Sequence, residues 1–511
     1  MKFKWLKKIF NRNFLVFLIL LLQALFILTF FFKLHDYSSL IYGLQTALSV
    51  ILVAYVINRE ETNPSYKLSW SIVVMLIPIV GAFLYIFFHS QLGRTSFYEK
   101  KNRVIKKTAS LIPQNPYVLD SLTDENIEQG RLAGYISKFG GYPVYRNTSL
   151  RYFPVGEEKY RALMYELRQA EKYIFMEYFI IDEGEMLREV LNVLEQKVRE
   201  GVEVRILYDG MGTQIHRPGK FKKMIEEKGI ECRVFNNFRP FLTSAQNNRD
   251  HRKIVSIDGK TAFTGGINIA DEYINAVERF GHWKDTAIMV RGEAAWSFTV
   301  MFLQMWDYKS KRLVDYERYI PDIMYTRDYD GYIQPYGDSP TTNEQTGKNV
   351  YLNIINKAKD YVYITTPYFI ADNEIMTALI FAAKSGVDVK IIVPHIPDKR
   401  YVNVLGWNYY QELTKHGVKV YEYMPGFIHA KNFVSDDETA VVGTINLDYR
   451  SLYLHFECAA VMYHTAAVSD IKLDFLNTLA KSREITLRDC KNRPLLTKIA
   501  SGFLRMIAPM L

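Results

Sequence analysis

The chain has 511 residues, 49% of them hydrophobic, with 36 Tyr, 31 Phe and a formal net charge of +9. That length allows two or three domains, part of the apolar content is membrane segment, and the net charge suits an anionic partner without choosing between a lipid surface and nucleic acid. The three cysteines, Cys232, Cys458 and Cys490, are odd in number and far apart, so they offer neither a disulfide framework nor a metal-ligand spacing and read as buried or idle thiols.

The chain opens on a basic head, with Lys2, Lys4, Lys7, Lys8 and Arg12, followed by an almost unbroken apolar run from Phe14 to Phe32. The run has spanning length, and no small-residue cleavage site follows it, so it reads as a retained span rather than a signal peptide. Ser39–Ile57 is a second run, weakened by Gln45, Thr46 and Ser49, and Ser69–Phe88 is a third, containing Pro78 and Gly81. Basic residues flank the group on both sides, from Lys2 to Arg12 and from Arg94 to Lys107. Both flanks favour the cytoplasmic face, which an odd number of spans does not satisfy, and the second run is the weakest. We expect residues 1–90 to be a transmembrane region of two or three helices and 91–140 a basic connector.

From Tyr142 the pattern turns to alternating strands and helices. The expected elements are a strand at 172–180, a helix at 186–200, strands at 202–208 and 230–235, and a helix at about 220–228. The second half repeats the order: Tyr361–Ile370 matches the first strand, Gly386-Val387-Asp388-Val389 matches Gly201-Val202-Glu203-Val204, and Gly417-Val418 matches Gly229-Ile230. This pattern predicts an α/β fold of two similar halves, at 141–310 and 311–490, each a largely parallel sheet flanked by helices, together a pseudo-dimer. Asp209-Gly210-Met211-Gly212 reads as a strand-end turn. The tail, 491–511, sets Leu495, Leu496, Ile499, Phe503 and Ile507 beside Lys498 and Arg505, the pattern of an amphipathic helix that lies on a membrane or packs on the domain.

Two segments carry the chemistry. His251-Arg252-Lys253-Ile254-Val255-Ser256-Ile257-Asp258 reads H-x-K-x4-D, and the same spelling returns from His429 through Lys431 to Asp436. On a strand, residues two apart share a face, so each His stands beside a fixed cation. The aspartates precede turn residues and lie an odd number of positions from their histidines, so they need not face the same site. A Gly-x-x-Asn end follows each segment, at Gly265–Asn268 and Gly443–Asn446. The offset between halves is 178 at both the His and the Asn pairs but 188 at Gly229 and Gly417, so the first half carries ten extra residues within 236–250, including Phe238 and Phe241. A nucleophilic imidazole needs an acceptor on its far nitrogen, and Asp285 and Glu457 are the candidates.

Twin H-x-K-x4-D segments with these flanks resemble the phospholipase D superfamily. The membrane runs, Thr366–Ile370, Asn248–Lys253 and Asn446–Ser451 leading to Phe456-Glu457 extend the resemblance to the bacterial cardiolipin synthases over nearly the full chain. The resemblance implies catalytic His251, Lys253, Asp258, His429, Lys431 and Asp436, supported by Asn268, Asn446, Asp285 and Glu457. It implies no metal and no cofactor. One imidazole attacks phosphorus as the neutral nucleophile while the other protonates the leaving alcohol, in either assignment. The expected reaction joins two phosphatidylglycerols into cardiolipin and releases glycerol, in a multi-pass protein of the bacterial cell membrane that meets anionic lipids and no nucleic acid. Rival readings are another phosphatidyltransferase or hydrolase of this type, a membrane-tethered nuclease, and a scaffold with a decayed site. Two departures from the family stand out: His455, where members often carry Asn, and three apolar runs rather than two.

Overall fold

Strand β1 (Thr148–Phe153) opens an alternation of short apolar strands and amphipathic helices that runs nearly to the end of the chain. The computed structural model describes residues 38–59, 63–89, 94–213, 218–237, 247–308, 310, 313–322, 329–342 and 344–510. The first apolar run and the core of the ten-residue insertion, with Phe238 to Leu242, lie outside the described residues. The chain divides into two units, residues 98–237 with 249–505, and residues 1–97 with 238–248 and 506–511.

In the larger unit, β2 (Tyr173–Tyr178), β3 (Glu203–Asp209), β4 (Glu231–Phe235), β5 (Ile254–Ile257), β6 (Thr261–Gly265) and, after the short β7 (His282–Lys284), β8 (Ala287–Gly292) join β1 in one sheet. Its order is β1-β8-β6-β5-β2-β3-β4. The second half supplies β9 (Tyr332–Asp338), β10 (Tyr361–Thr365), β11 (Phe369–Ile370), β12 (Asp388–Pro394), β13 (Lys419–Tyr423), β14 (Gly426–Ile428), β15 (Asn432–Ser435), β16 (Thr439–Gly443), β17 (Leu447–Asp448), β18 (Glu457–Tyr463) and β19 (Ser482–Glu484). Its main sheet has the order β9-β18-β16-β15-β10-β12-β13-β19, the same plan with one more edge strand.

The sheets are mixed rather than largely parallel. Within the two main sheets only β2-β3-β4 and β10-β12-β13 are parallel; the H-x-K hairpins β5-β6 and β15-β16, and the strands beyond them, pair antiparallel. The connections decide this. Helices of nine to sixteen residues join the parallel strands, whereas turns of a few residues close the hairpins. Strand β2 is buried at all six positions, as a central strand must be.

Helix Ala294–Asp307 is buried along its whole length. It touches β2, β5, β6 and β8 of the first sheet and β9 of the second. Phe302 stacks on Phe175 at 4.8 Å, and fully burying such a side chain contributes about 1.5–3 kcal/mol. Helix Ala466–Leu479 repeats the role for the second sheet and reaches β1, where Asp474 accepts a hydrogen bond from the Tyr152 hydroxyl at 2.6 Å. From Tyr98 the basic stretch packs into this unit: Lys101 is buried, bonds Ser339 Oγ at 2.9 Å and lies 3.8 Å from the Phe456 ring centre.

The smaller unit contains helices Ser38–Ile57, Pro64–Leu76 and Pro78–His89 around a core of Val56, Trp70, Val74 and Tyr85. The third apolar run is therefore two helices rather than one. Pro78 has no N–H to continue the ladder, and the first helix ends at Ile77. Thirteen and twelve residues give helices of about 20 and 18 Å, short of a ~30 Å hydrocarbon core. Among the described residues no helix is long and apolar enough to cross a membrane.

Candidate active site

Residues 249–253 run extended into β5, so His251 and Lys253 take one side and Arg252 the other. Arg252 points behind the sheet into an ion pair with Glu177 of β2 at 2.5 Å and a second with Asp250 at 3.3 Å. Burial alone would disfavour that guanidinium, but the two carboxylates raise its pKa. In the second segment the same position is Ala430, buried without a charge. Arg252 and Glu177 were absent from the sequence-level site; their signal was a charged residue at an inward strand position.

The two segments meet through crossed backbone pairing. His251 N donates to Phe456 O at 2.9 Å, and Phe456 N donates to Arg249 O at 2.8 Å. On the opposite side β14 pairs parallel with β7, and His429 N donates to Lys284 O at 2.7 Å. Each pairing delivers the next side chain of the other half to the imidazole. His251 Nδ1 lies 2.9 and 3.0 Å from the two oxygens of Glu457. His429 Nδ1 lies 2.6 Å from Asp285 Oδ2. With Nδ1 engaged by a carboxylate in each ring, Nε2 is the nitrogen left for a substrate.

Gly266 and Thr444, one residue past the matched glycines, explain why the flanks differ. A Cβ at Gly266 would lie 2.0 Å from Asp285 Oδ1, so only glycine leaves that carboxylate its place. Thr444 instead donates its hydroxyl to Glu457 Oε2.

Both imidazoles are buried, with Phe179 edge-on to His251 at 4.9 Å and Trp283, Tyr273 and Phe427 around His429. Burial is the largest cause holding both rings well below the ordinary His range, and Lys253, Lys431 and Lys399 push the same way. His429 also acts on His251, which brings the two rings within electrostatic reach of one another. Both shifts favour the neutral form of the rings. Burial lowers Lys253 to about 8 and Lys431 to about 7, and it raises Asp285 to about 6. Lys253 Nζ donates to His251 O at 2.6 Å, and Lys431 makes the same bond to His429 O. Each ammonium keeps two further N–H groups for other oxygens.

Asn268 and Asn446 flank the pair. Asn268 accepts from Ile180 N at 3.0 Å and donates to the Tyr273 hydroxyl at 2.7 Å. Asn446 donates to Asp448 at 3.2 Å, and its Oδ1 has no hydrogen-bond partner among the described residues. Lys399, on the loop after β12, acts on both imidazoles and was also missed, because only the fold brings that loop to the site.

Asp258 and Asp436 sit at the hairpin turns, where they bond backbone N–H groups. Asp258 accepts hydrogen bonds from the backbone N–H groups of Glu171, Lys172 and Tyr173 at 2.7–2.8 Å. Asp436 does the same for Lys359, Asp360 and Tyr361 at 2.8–3.0 Å. Both have φ +53 at the hairpin turn. Each aspartate lies seven steps along the chain from its histidine, at about 3.3 Å per step where the chain is extended. The three cysteines are free and buried, and Asp209 accepts from the N–H groups of Met211 and Gly212 in the expected strand-end turn.

Two similar α/β halves that lend each other a carboxylate across a shared pair of imidazoles define a phospholipase D-like protein. The family described as cardiolipin synthase, PLD-like domain, matches residues 163–306 and 351–479, and a phospholipase D-nuclease N-terminal model matches residues 47–88. The chain is 34% identical over 507 residues to a cardiolipin synthase of Alkalihalophilus pseudofirmus, covering 98% of this chain and 100% of that one. It is 47% identical over 464 residues to a protein of Streptococcus mutans, covering 90% of this chain and 99% of that one. The phosphatidylserine synthase of Haemophilus influenzae shares the fold, with a TM-score of 0.56 at 13% identity, covering 75% of this chain and 98% of that one. The chain belongs to the phospholipase D-like cardiolipin synthase family.

Proposed function

We propose that the chain is a phosphatidyltransferase that makes cardiolipin and glycerol from two phosphatidylglycerols. The observation that carries this reading is the crossed pair, His251 on Glu457 and His429 on Asp285, with Lys253 and Lys431 beside them. Phosphoryl transfer asks chiefly for positioning and charge neutralisation, and the two ammonium groups with Asn268 and Asn446 supply both at one phosphate.

In this reading His251 is the nucleophile and His429 the acid and base, although the same three lysines act on both rings. Its Nε2 attacks phosphorus while the P–O bond to glycerol breaks, and His429 gives the departing oxygen a proton. The phosphodiester brings the negative charge that makes an imidazolium at His429 tenable beside two lysines, and Asp285 stabilises it. In the second step His429 takes the proton from a hydroxyl of the second phosphatidylglycerol. That oxygen attacks phosphorus, the P–N bond breaks and His251 is released. The near-complete burial of both rings limits water and favours transfer over hydrolysis to phosphatidic acid.

The division proposed is a membrane region within residues 1–90, a basic segment at 91–140, catalytic halves at 141–310 and 311–490, and a terminal helix. The protein acts at the bacterial cell membrane on anionic lipid, with the apolar run from Phe14 to Phe32 as its principal anchor. Exposed Leu44, Ile51, Leu68 and Leu76 support membrane contact by the smaller unit. Helix Leu495–Ile507 supports it too: Ser501 and Arg505 bind Val404 and Glu412, leaving Leu495, Leu496 and Phe503 exposed.

In the test, His251→Ala and His429→Ala are expressed in a bacterial host lacking cardiolipin. Wild type restores cardiolipin and each variant fails to. Normal cardiolipin from either variant would overturn the mechanism.

A further inference from the structure

His455 is a buried imidazole that the transfer mechanism leaves unused. Its side chain is 10% exposed, and neither ring nitrogen has a hydrogen-bond partner among the described residues. Leaving both nitrogens of a neutral imidazole unpaired in a buried site is costly, so the ring is set for something that comes and goes. Its Nδ1 is 3.7 Å from Glu457 Oε1, and its ring centre is 5.6 Å from that of His251. One ligand atom from each of His251, His455 and Glu457 lies within 4.8 Å of the other two. Two imidazole nitrogens and one carboxylate oxygen around an open position are a donor set for Zn2+ rather than for Mg2+ or Ca2+, which prefer oxygen.

We propose that His251, His455 and Glu457 form a reversible Zn2+ site, and that zinc bound there shuts off phosphatidyl transfer. The inhibition follows from the tautomer. Without metal, His251 keeps its proton on Nδ1, facing Glu457, and presents the Nε2 lone pair to phosphorus. Zinc takes the Nδ1 lone pair, so the one proton of the neutral ring moves to Nε2. The nitrogen that should attack then carries hydrogen and has no lone pair. The metal also takes from His251 the carboxylate that orients it. Lys253 acts electrostatically on this cluster and opposes a further cation, so the site is micromolar rather than a tight structural one.

Zinc binding does not depend on the proposed reaction; the inhibition rests on His251 being the nucleophile. The full-length protein in detergent is titrated with ZnCl2 against a chromophoric zinc indicator, beside His455→Asn and His455→Gln. One micromolar site per chain is expected in the wild type, weakened by about tenfold or more in both variants. No micromolar site in the wild type, or a site that both variants keep, would overturn the proposal. In a parallel assay on phosphatidylglycerol vesicles, zinc lowers the wild-type rate at the concentration that fills the site, and the fold-inhibition shrinks in each variant. Zinc that fills the site without slowing wild type sinks the tautomer argument. A wild type that makes no cardiolipin even with chelator present counts against the proposed reaction and leaves the binding result to stand by itself.

Discussion

At the scale of single residues, the site is a set of ionisable groups that burial pushes toward neutrality together. Asp285 moves up to about 6, while Lys253 and Lys431 move down to about 8 and about 7. The signs follow directly. Asp285 must be ionised to accept from His429 Nδ1, so activity falls as pH drops through about 6. The lysines must be charged to hold a phosphate, so activity also falls as pH rises through about 7 to 8. We predict a bell-shaped kcat/KM profile on phosphatidylglycerol whose limbs belong to the coupled cluster rather than to single residues. A profile that stays flat well to either side of neutrality would show that these groups do not govern the free enzyme.

At the scale of elements, each H-x-K-x4-D segment does two different jobs at its two ends. The His and Lys end reaches into the site, while the Asp end ties the hairpin to the start of the neighbouring strand, β2 or β10. Asp258→Ala would leave three backbone N–H groups without their acceptor at the first strand. The expected cost is about 1–3 kcal/mol of stability, read as a lower thermal midpoint, with turnover per folded enzyme about unchanged. Lost turnover at an unchanged midpoint would return Asp258 to the chemistry.

At the scale of the whole molecule, neither half of the catalytic unit completes its own site. The acceptor for His251 comes from 206 residues downstream, and that for His429 from 144 residues upstream. We predict that Glu457→Gln moves the imidazole ¹⁵N resonances of His251 while leaving those of His429 nearly in place, and that Asp285→Asn does the reverse. The measurement is NMR of the histidine-labelled full chain in micelles. If Asp285→Asn instead perturbed His251, the carboxylates would be working within their own halves.

The sequence by itself determined the family, the repeat and most of the site: His251, Lys253, His429 and Lys431 stand on extended chain leading into strands, where period-two alternation sets them, and Asn268 and Asn446 follow at the same offset in both halves. These are local facts, and local pattern is what a sequence displays. Which carboxylate serves which imidazole was not legible, because that depends on backbone pairing between β7 and β14 and between Asp250 and Phe456, distant in the chain. The turn position of Asp258 and Asp436 was legible from the residues that follow them, whereas the break of the third apolar run before Pro78 was not, because spanning helices tolerate proline. Only the tertiary structure decided these, since burial and hydrogen bonding between remote segments determine where a charge can sit.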